Sequence, residues 1–272
     1  MSKTLTAQHP VADVTLTYSP ATYTYLDDLG QKYTFATRIA KQYFPEFDAA
    51  AAAASKSAKT GRLAEEFLAE WKAKGRESSH FGDQVHDYAR AVAVGGARPV
   101  SENKQQEIAF RVVDDSISML ADSYEIMGAE ILVFDPVYLI AGYIDIGAIN
   151  RATGALAIID WKTCEDISAD AWGRTMLPPF TRLPDSKLMH YTFDQSIYGF
   201  IVESSGYAQP GQPIELALVH IPPFSTSPRW IPLEYLRDEA TICAEAHARK
   251  QGVTIPDADV GLSHVPVVGC PF

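Results

Sequence analysis

Cysteine is scarce in this chain, and positive charge is outnumbered. Cys164, Cys243 and Cys270 stand far apart with no paired spacing, which argues against a zinc ribbon or a four-thiolate iron–sulfur cluster and suits a reducing cytoplasm. No apolar run approaches the ~20 residues that span a bilayer. The opening MSKTLTAQHPVADVTLTYS lacks the basic-then-apolar order of a secretory leader, so a cytoplasmic protein is expected. Lysine and arginine number 23 against 34 aspartates and glutamates, a formal net charge of -11. That balance argues against a protein that coats duplex DNA through a broad basic face, because neutralising phosphates supplies much of such affinity. It counts less against an enzyme whose acids are themselves a metal site.

What is present suits one large domain over 1–272, with 47% hydrophobic residues to build a substantial core. β-like runs at 14–19 and 22–26 flank Pro20, precede a turn at 27–30 and read as an N-terminal hairpin. A helix over 36–43, ended by Pro45, completes an entry region at 1–45. The six alanines 49–54 read as a helical turn with a mobile, basic exit. Leu63, Phe67 and Trp71 recur every four residues, which predicts an amphipathic helix over 62–74 interrupted at Gly75. The next helix should bury Phe81, Val85, Tyr88 or Ala89, and Val92, and stop at Gly95 and Gly96. Ser101 is the expected N-cap of a long helix whose Phe110, Val113, Ile117 and Leu120 share a face.

Residues 130–163 change texture. Three β-rich runs, separated by Asp135 and Pro136 and by a turn at 150–154, predict an antiparallel meander. An irregular, proline-rich segment (165–187), a helix (188–204), a strand (215–221) and a last helix (233–250) follow, and the tail to Phe272 has no period. The order of elements predicts an α/β fold with a mixed central β-sheet flanked by helices.

Side chains along a strand alternate faces. In ALAIIDWKT, Asp160 and Lys162 therefore point one way and Trp161 and Thr163 the other. In the run before it, Tyr143, Asp145 and Gly147 share a face while Ile144 and Ile146 turn to the core. Pairing of the two strands through the 150–154 turn would set Asp145 across from Asp160. Two facing carboxylates repel and invite a cation, and hard oxygen ligands favour Mg²⁺ or Mn²⁺. An adjacent lysine can orient a water or stabilise negative charge on a phosphate. Such charges can also simply cap strand ends, but two aspartates, a lysine and flanking apolar strands favour a site.

AGYID followed by IIDWKT resembles the core of the PD-(D/E)XK nuclease superfamily, in its RecB-like, phage exonuclease branch. Asp145, Asp160 and Lys162 fall on the three signature positions, and Glu130 matches an acid that often stands upstream. FGDQVHDYAR is similar to the family's G-(T)-x-V-H helix motif, with Asp83 where threonine is common. Gly82 and His86 are four apart and share a helical face. MLPPFTRLPDSKLMHYTFDQSIYGFIVES is similar to the segment that carries Q-x-x-x-Y in phage members. Here Asp194 stands four before Tyr198 and Gln195 three before, so the glutamine's role is open. YTFATRIAKQYFPEFD and ELALVHIPP also match, and the resemblance covers about 14–250.

The resemblance implies a restriction-endonuclease-like core at 130–204 and hydrolysis of phosphodiesters by metal-activated water. One or two Mg²⁺ or Mn²⁺ ions would be held by His86, Asp145, Asp160 and the Trp161 backbone carbonyl. Lys162 would orient the water, and Asp194 or Gln195 with Tyr198 would shape the rim. The implied activity is that of an exonuclease in phage or bacterial DNA processing or recombination, in the host cytoplasm if phage-encoded. DNA ends or single strands are the implied partners, with a homo-oligomer or a recombination protein possible. The competing readings are a catalytically silent relative that binds DNA ends or a protein, and an enzyme of the same fold that acts on RNA or another phosphate ester. Lys56, Lys59, Arg62, Arg174 and Lys187 are positional candidates for a nucleic-acid path.

Overall fold

β-branched and aromatic residues dominate the N-terminal runs, and they pair. In the computed structural model, which describes residues 4–255, the expected hairpin is the centre of a four-stranded antiparallel meander. Its strands are β1 (Leu5–Gln8), β2 (Thr15–Ser19), β3 (Thr24–Asp27) and β4 (Lys32–Phe35). Asp27 closes the 27–30 turn by accepting hydrogen bonds from the Leu29 and Gln31 amides. Helix α1 (Ala36–Lys41) follows directly.

The helices run longer than local composition suggests. Helix α2 (Ala49–Thr60) is capped by Asp48, whose carboxylate accepts from the Ala51 amide at 2.8 Å. The basic stretch after the alanines is thus helical to Thr60, not a mobile exit. Helix α3 (Ala64–Ala93) is continuous through Gly75. A mid-helix glycine costs about 1 kcal/mol relative to alanine, too little to break a helix with favourable residues on both sides. Leu63 stands just outside α3 and is exposed, while Phe67 is buried. Helix α4 (Lys104–Ser123) starts two residues later than a Ser101 cap would place it. Asn103 takes the role, accepting from the Gln106 amide at 3.0 Å. Phe110, Val113, Ile117 and Leu120 form its buried face as expected.

The central sheet is mixed. Strands β5 (Tyr124–Asp135), β6 (Ile140–Asn150) and β7 (Leu156–Lys162) form the expected antiparallel meander. Helix α5 (Lys187–Ser204) returns the chain so that β8 (Ile214–His220) lies parallel to β7. Strand β9 (Arg229–Leu233) then pairs antiparallel with β8 at the sheet edge, and α6 (Arg237–Lys250) closes the described chain. Strand β9 was hidden by Pro232, which an edge strand tolerates because one of its sides needs no amide donors. It also moves the last helix's start from the expected 233 to 237. Expectations for the tail beyond residue 255, including Cys270, lie outside the described residues.

Two layers and the meander cover this sheet. Helices α1, α5 and α6 pack on Val133, Ile140, Ile144, Leu156 and Ile158. Helices α3 and α4 pack on Ile146, Ala148, Ala157, Ile159 and Trp161. The N-terminal meander closes on Leu132, Phe134 and Ala141. No helix among the described residues is long and apolar enough to cross a membrane.

Strand β6 is irregular in its pairing and in its faces. Strand β5 occupies one edge of β6 along its whole length. The other edge is shared: β4 pairs in parallel at Ile140 and Ala141, and β7 pairs at Ile146 to Ile149. Between them, residues 142–145 have no strand neighbour on that side. The same stretch breaks the alternation of faces. Ile144 and Ile146 should share a side, yet they enter different cores. The partner strand does likewise, with Ile131 packed against one core and Ala129 against the other. Between these residues Glu130 adopts φ +50°, a left-handed conformation, and neither it nor Asp145 joins the ladder. The two sheet faces therefore exchange partners at the Glu130–Asp145 row.

Candidate active site

The open stretch of β6 is where the sequence motifs converge. Continuing the Ile146–Ile159 register by one step sets Asp145 opposite Asp160. The strands separate there instead, and Asp145 Oδ2 accepts a hydrogen bond from the Trp161 amide at 2.9 Å. The same oxygen lies 3.1 Å from His86 Nδ1. Asp160 forms an ion pair with Lys162, its neighbour on the same face of β7. Both carboxylates are largely buried, 16% and 15% exposed.

Each helix reaches this point through a glycine. On α3, a Cβ added to Gly82 would meet Thr163 Oγ1 at 3.3 Å, so the bare glycine lets α3 come close to the end of β7. His86, one turn further on, then meets Asp145. On β6, a Cβ at Gly142 would lie 2.6 Å from the Tyr198 ring. Tyr198 thus packs on the unpaired edge of β6, its ring and hydroxyl lying directly over Gly142. The glycines of the AGYID and FGDQVH motifs are both explained by close approach.

Helix α5 presents Tyr191, Asp194 and Tyr198 at i, i+3 and i+7, one stripe of a helix. Lys162 Nζ lies 5.0 Å from the centroid of the Tyr191 ring. Tyr191 was missing from the sequence expectation, although its place seven residues before Tyr198 is a usable signal. Of the two polar candidates, Asp194 shares the electric field of Lys162 and Asp160. Gln195 is buried, and its side-chain oxygen has no hydrogen-bond partner among the described residues. Glu130 is tied to α3 by Arg90, with Nε 2.9 Å from its carboxylate, and it feels the charges of Asp145 and His86. Trp161 gives its amide to Asp145 and buries its ring in the α3–α4 core.

The charges are mutually dependent. Burial disfavours a charged His86 ring, but the charge and hydrogen bond of Asp145 overrule it and raise the ring to about 9. Burial likewise opposes ionisation of Asp145, yet His86, Lys162 and the Trp161 amide hold it below the usual carboxylate range. Asp160 is pushed up, by burial first and by Asp145, against the pull of Lys162. Lys162 is raised because its two aspartates outweigh its own burial. Asp194 goes up to about 7, through burial reinforced by Asp160 and opposed by Lys162. Three acids therefore face two cationic side chains.

Hard carboxylate oxygen atoms beside an imidazole are donors that fit a hard divalent cation. The donors are not drawn together as a finished cage: among the described residues, no three His, Cys, Asp or Glu side chains converge as a metal site. His86 and Lys162 instead pair with the two aspartates.

The candidate basic path is scattered. Arg62 is held by Glu66 and Glu70 on α3, and Arg174 by Asp185. Lys56 lies over the Phe67 and Trp71 rings. Lys59 sits in the last turn of α2, and Lys187 opens α5.

No known protein-family profile matches the chain, and no curated protein matches it. Among solved structures, a protein of Eubacterium rectale provisionally described as an exonuclease is similar over 78% of this chain and 70% of its own, at 13% identity and a TM-score of 0.33.

Proposed function

We propose that this chain is a divalent-metal-dependent DNA nuclease with a restriction-endonuclease-like core, working from DNA ends as an exonuclease. One observation carries the reading: Asp145, Asp160 and Lys162 meet where β6 and β7 part inside the sheet. His86 is brought to them from one layer and Asp194 from the other. Asp145, Asp160 and His86 would hold Mg²⁺ or Mn²⁺, with the Trp161 carbonyl as a further donor. When bound, such an ion polarises phosphoryl oxygens and makes water acidic enough to attack at neutral pH.

The chain's own groups supply the rest. Lys162 remains an ammonium and stabilises charge that grows on the phosphoryl oxygens. Asp194, raised to about 7, would accept the proton of the attacking water as a carboxylate. The water oxygen forms the new bond to phosphorus as the bond to the leaving sugar oxygen breaks, and that oxygen takes a proton from solvent. Tyr198 and Tyr191 wall the site, and Glu130 with Arg90 positions α3 against β5.

A second reading, a silent binder of DNA ends, is favoured by the pairing of His86 and Lys162 with the two aspartates, which satisfies the site without a metal. Incubating the protein with linear and with circular DNA, with and without Mn²⁺, separates the two. Metal-dependent loss of linear DNA alone supports the exonuclease. Intact DNA with a retarded band supports the silent binder and rejects the nuclease.

A further inference from the structure

The segment 163–186 joins β7, which carries Asp160 and Lys162, to α5, which carries Tyr191 and Asp194. It is well anchored. Glu165 pairs with Lys74 of α3 at 2.7 Å, the Cys164 carbonyl accepts from His220 Nε2 at 2.7 Å, and the Leu188 amide donates to the Ser168 carbonyl at 2.9 Å. From this anchored segment Trp172 projects into solvent, 74% exposed. Its backbone is left-handed, φ +47°, and is fixed by a hydrogen bond from its amide to Asp170 at 2.8 Å. Such a conformation is strained for a bulky residue, and no core gains from the ring it displays. Beside the ring stands the Arg174 guanidinium, 5.7 Å from its centroid and itself held by Asp185.

We infer that Trp172 and Arg174 form a clamp for an unpaired polynucleotide strand, the ring stacking on a base and the guanidinium meeting its phosphate. The inference rests on the nuclease reading and adds a substrate form to it. Every base has a face that stacks on an aromatic ring, and a duplex hides those faces between neighbouring pairs. On a chain of net charge -11, a phosphate needs a local cation, and Arg174 is held in place to be one. Ser168, four positions before Trp172, is bonded to the first turn of α5, and Tyr191 lies in the next. Trp172 therefore projects from the same anchored segment that joins the strand carrying Lys162 to the helix carrying Tyr191. A second aromatic group stands on α3 at Trp71, three residues before Lys74. Exposed Phe47 touches Trp71, and the Lys56 ammonium lies 5.7 Å from the Trp71 ring centroid.

The test compares wild type, W172A, W172F and R174Q by fluorescence anisotropy, with a labelled 20-nucleotide strand and its blunt duplex in EDTA. W172A should bind the unpaired strand about 5- to 100-fold more weakly, while W172F stays within about threefold of wild type. Duplex binding should change little in either. R174Q should lower the slope of log affinity against log salt by about 1. Circular dichroism checks that each variant folds. Unchanged strand binding by W172A, or equal losses on strand and duplex, overturns the clamp. If wild type digests linear DNA with Mn²⁺ while W172A binds normally, the clamp alone fails. If wild type neither binds nor digests nucleic acid, the nuclease reading fails and takes the clamp with it.

Discussion

A carboxylate held near neutral pH behaves differently from the acids around it. Burial lifts Asp194 to about 7, so the folded chain binds that proton more tightly than the unfolded chain does. Stability contributed by this group is present at low pH and is lost as pH rises from about 4 to about 7. D194N should therefore be more stable than wild type at pH 8, by roughly 1–3 kcal/mol after allowing for solvent at a partly exposed group, and about equal at pH 4. Urea titrations at the two pH values decide it. The His86–Asp145 pair works in the opposite sense for each partner. His86, raised to about 9, stabilises the fold below its unfolded pKa and loses that contribution as pH climbs through 9. Asp145, held low, stabilises at neutral pH and loses its contribution in acid. D160N and K162A each remove a group proposed to act on the phosphate. Mn²⁺-dependent loss of linear DNA should fall about 10³-fold or more in each, with the melting profile largely retained. Digestion at near wild-type rates would remove both residues from the chemistry. At this scale the sequence was legible where period 2 holds: Asp160 and Lys162 do share a face. It was misleading at Ile144 and Ile146, because the kink at Asp145 depends on a left-handed residue in another strand.

Among the elements, glycines decide how closely helices approach the sheet. G142A would place a methyl 2.6 Å from the Tyr198 ring, and neither the strand nor the buried helix can move away cheaply. The variant should lose about 1–3 kcal/mol in thermal or urea unfolding. Y198F should not rescue it, because ring carbon Cε1 is itself the nearest atom. The meander, α4, α5 and β8 could all be read from periodicity because their apolar faces are regular. The misreadings share a physical cause. Gly75 and the Ser101 cap were judged by local propensity, whereas helix length and the equally good cap at Asn103 prevailed. Strand β9 was lost because its proline matters only if both edges are paired.

Taken whole, the molecule is an acidic body with a few fixed cations. If it grips nucleic acid through a limited set of contacts such as Arg174 and Lys56, the affinity should fall gently with salt. A log–log slope shallower than about -3 is expected for the 20-nucleotide strand, measured by anisotropy between low and physiological ionic strength. A much steeper slope would point to a broad basic face that the composition does not contain.

The exchange of faces at Glu130 and Asp145 also reaches beyond geometry. A flat sheet offers a reaction centre the side chains of one side only. Here the imidazole arrives from a helix seated in one core and the titrating carboxylate from a helix seated in another. Each contributor is secured by its own packing, so a residue on either helix can change while the opposite side keeps its footing.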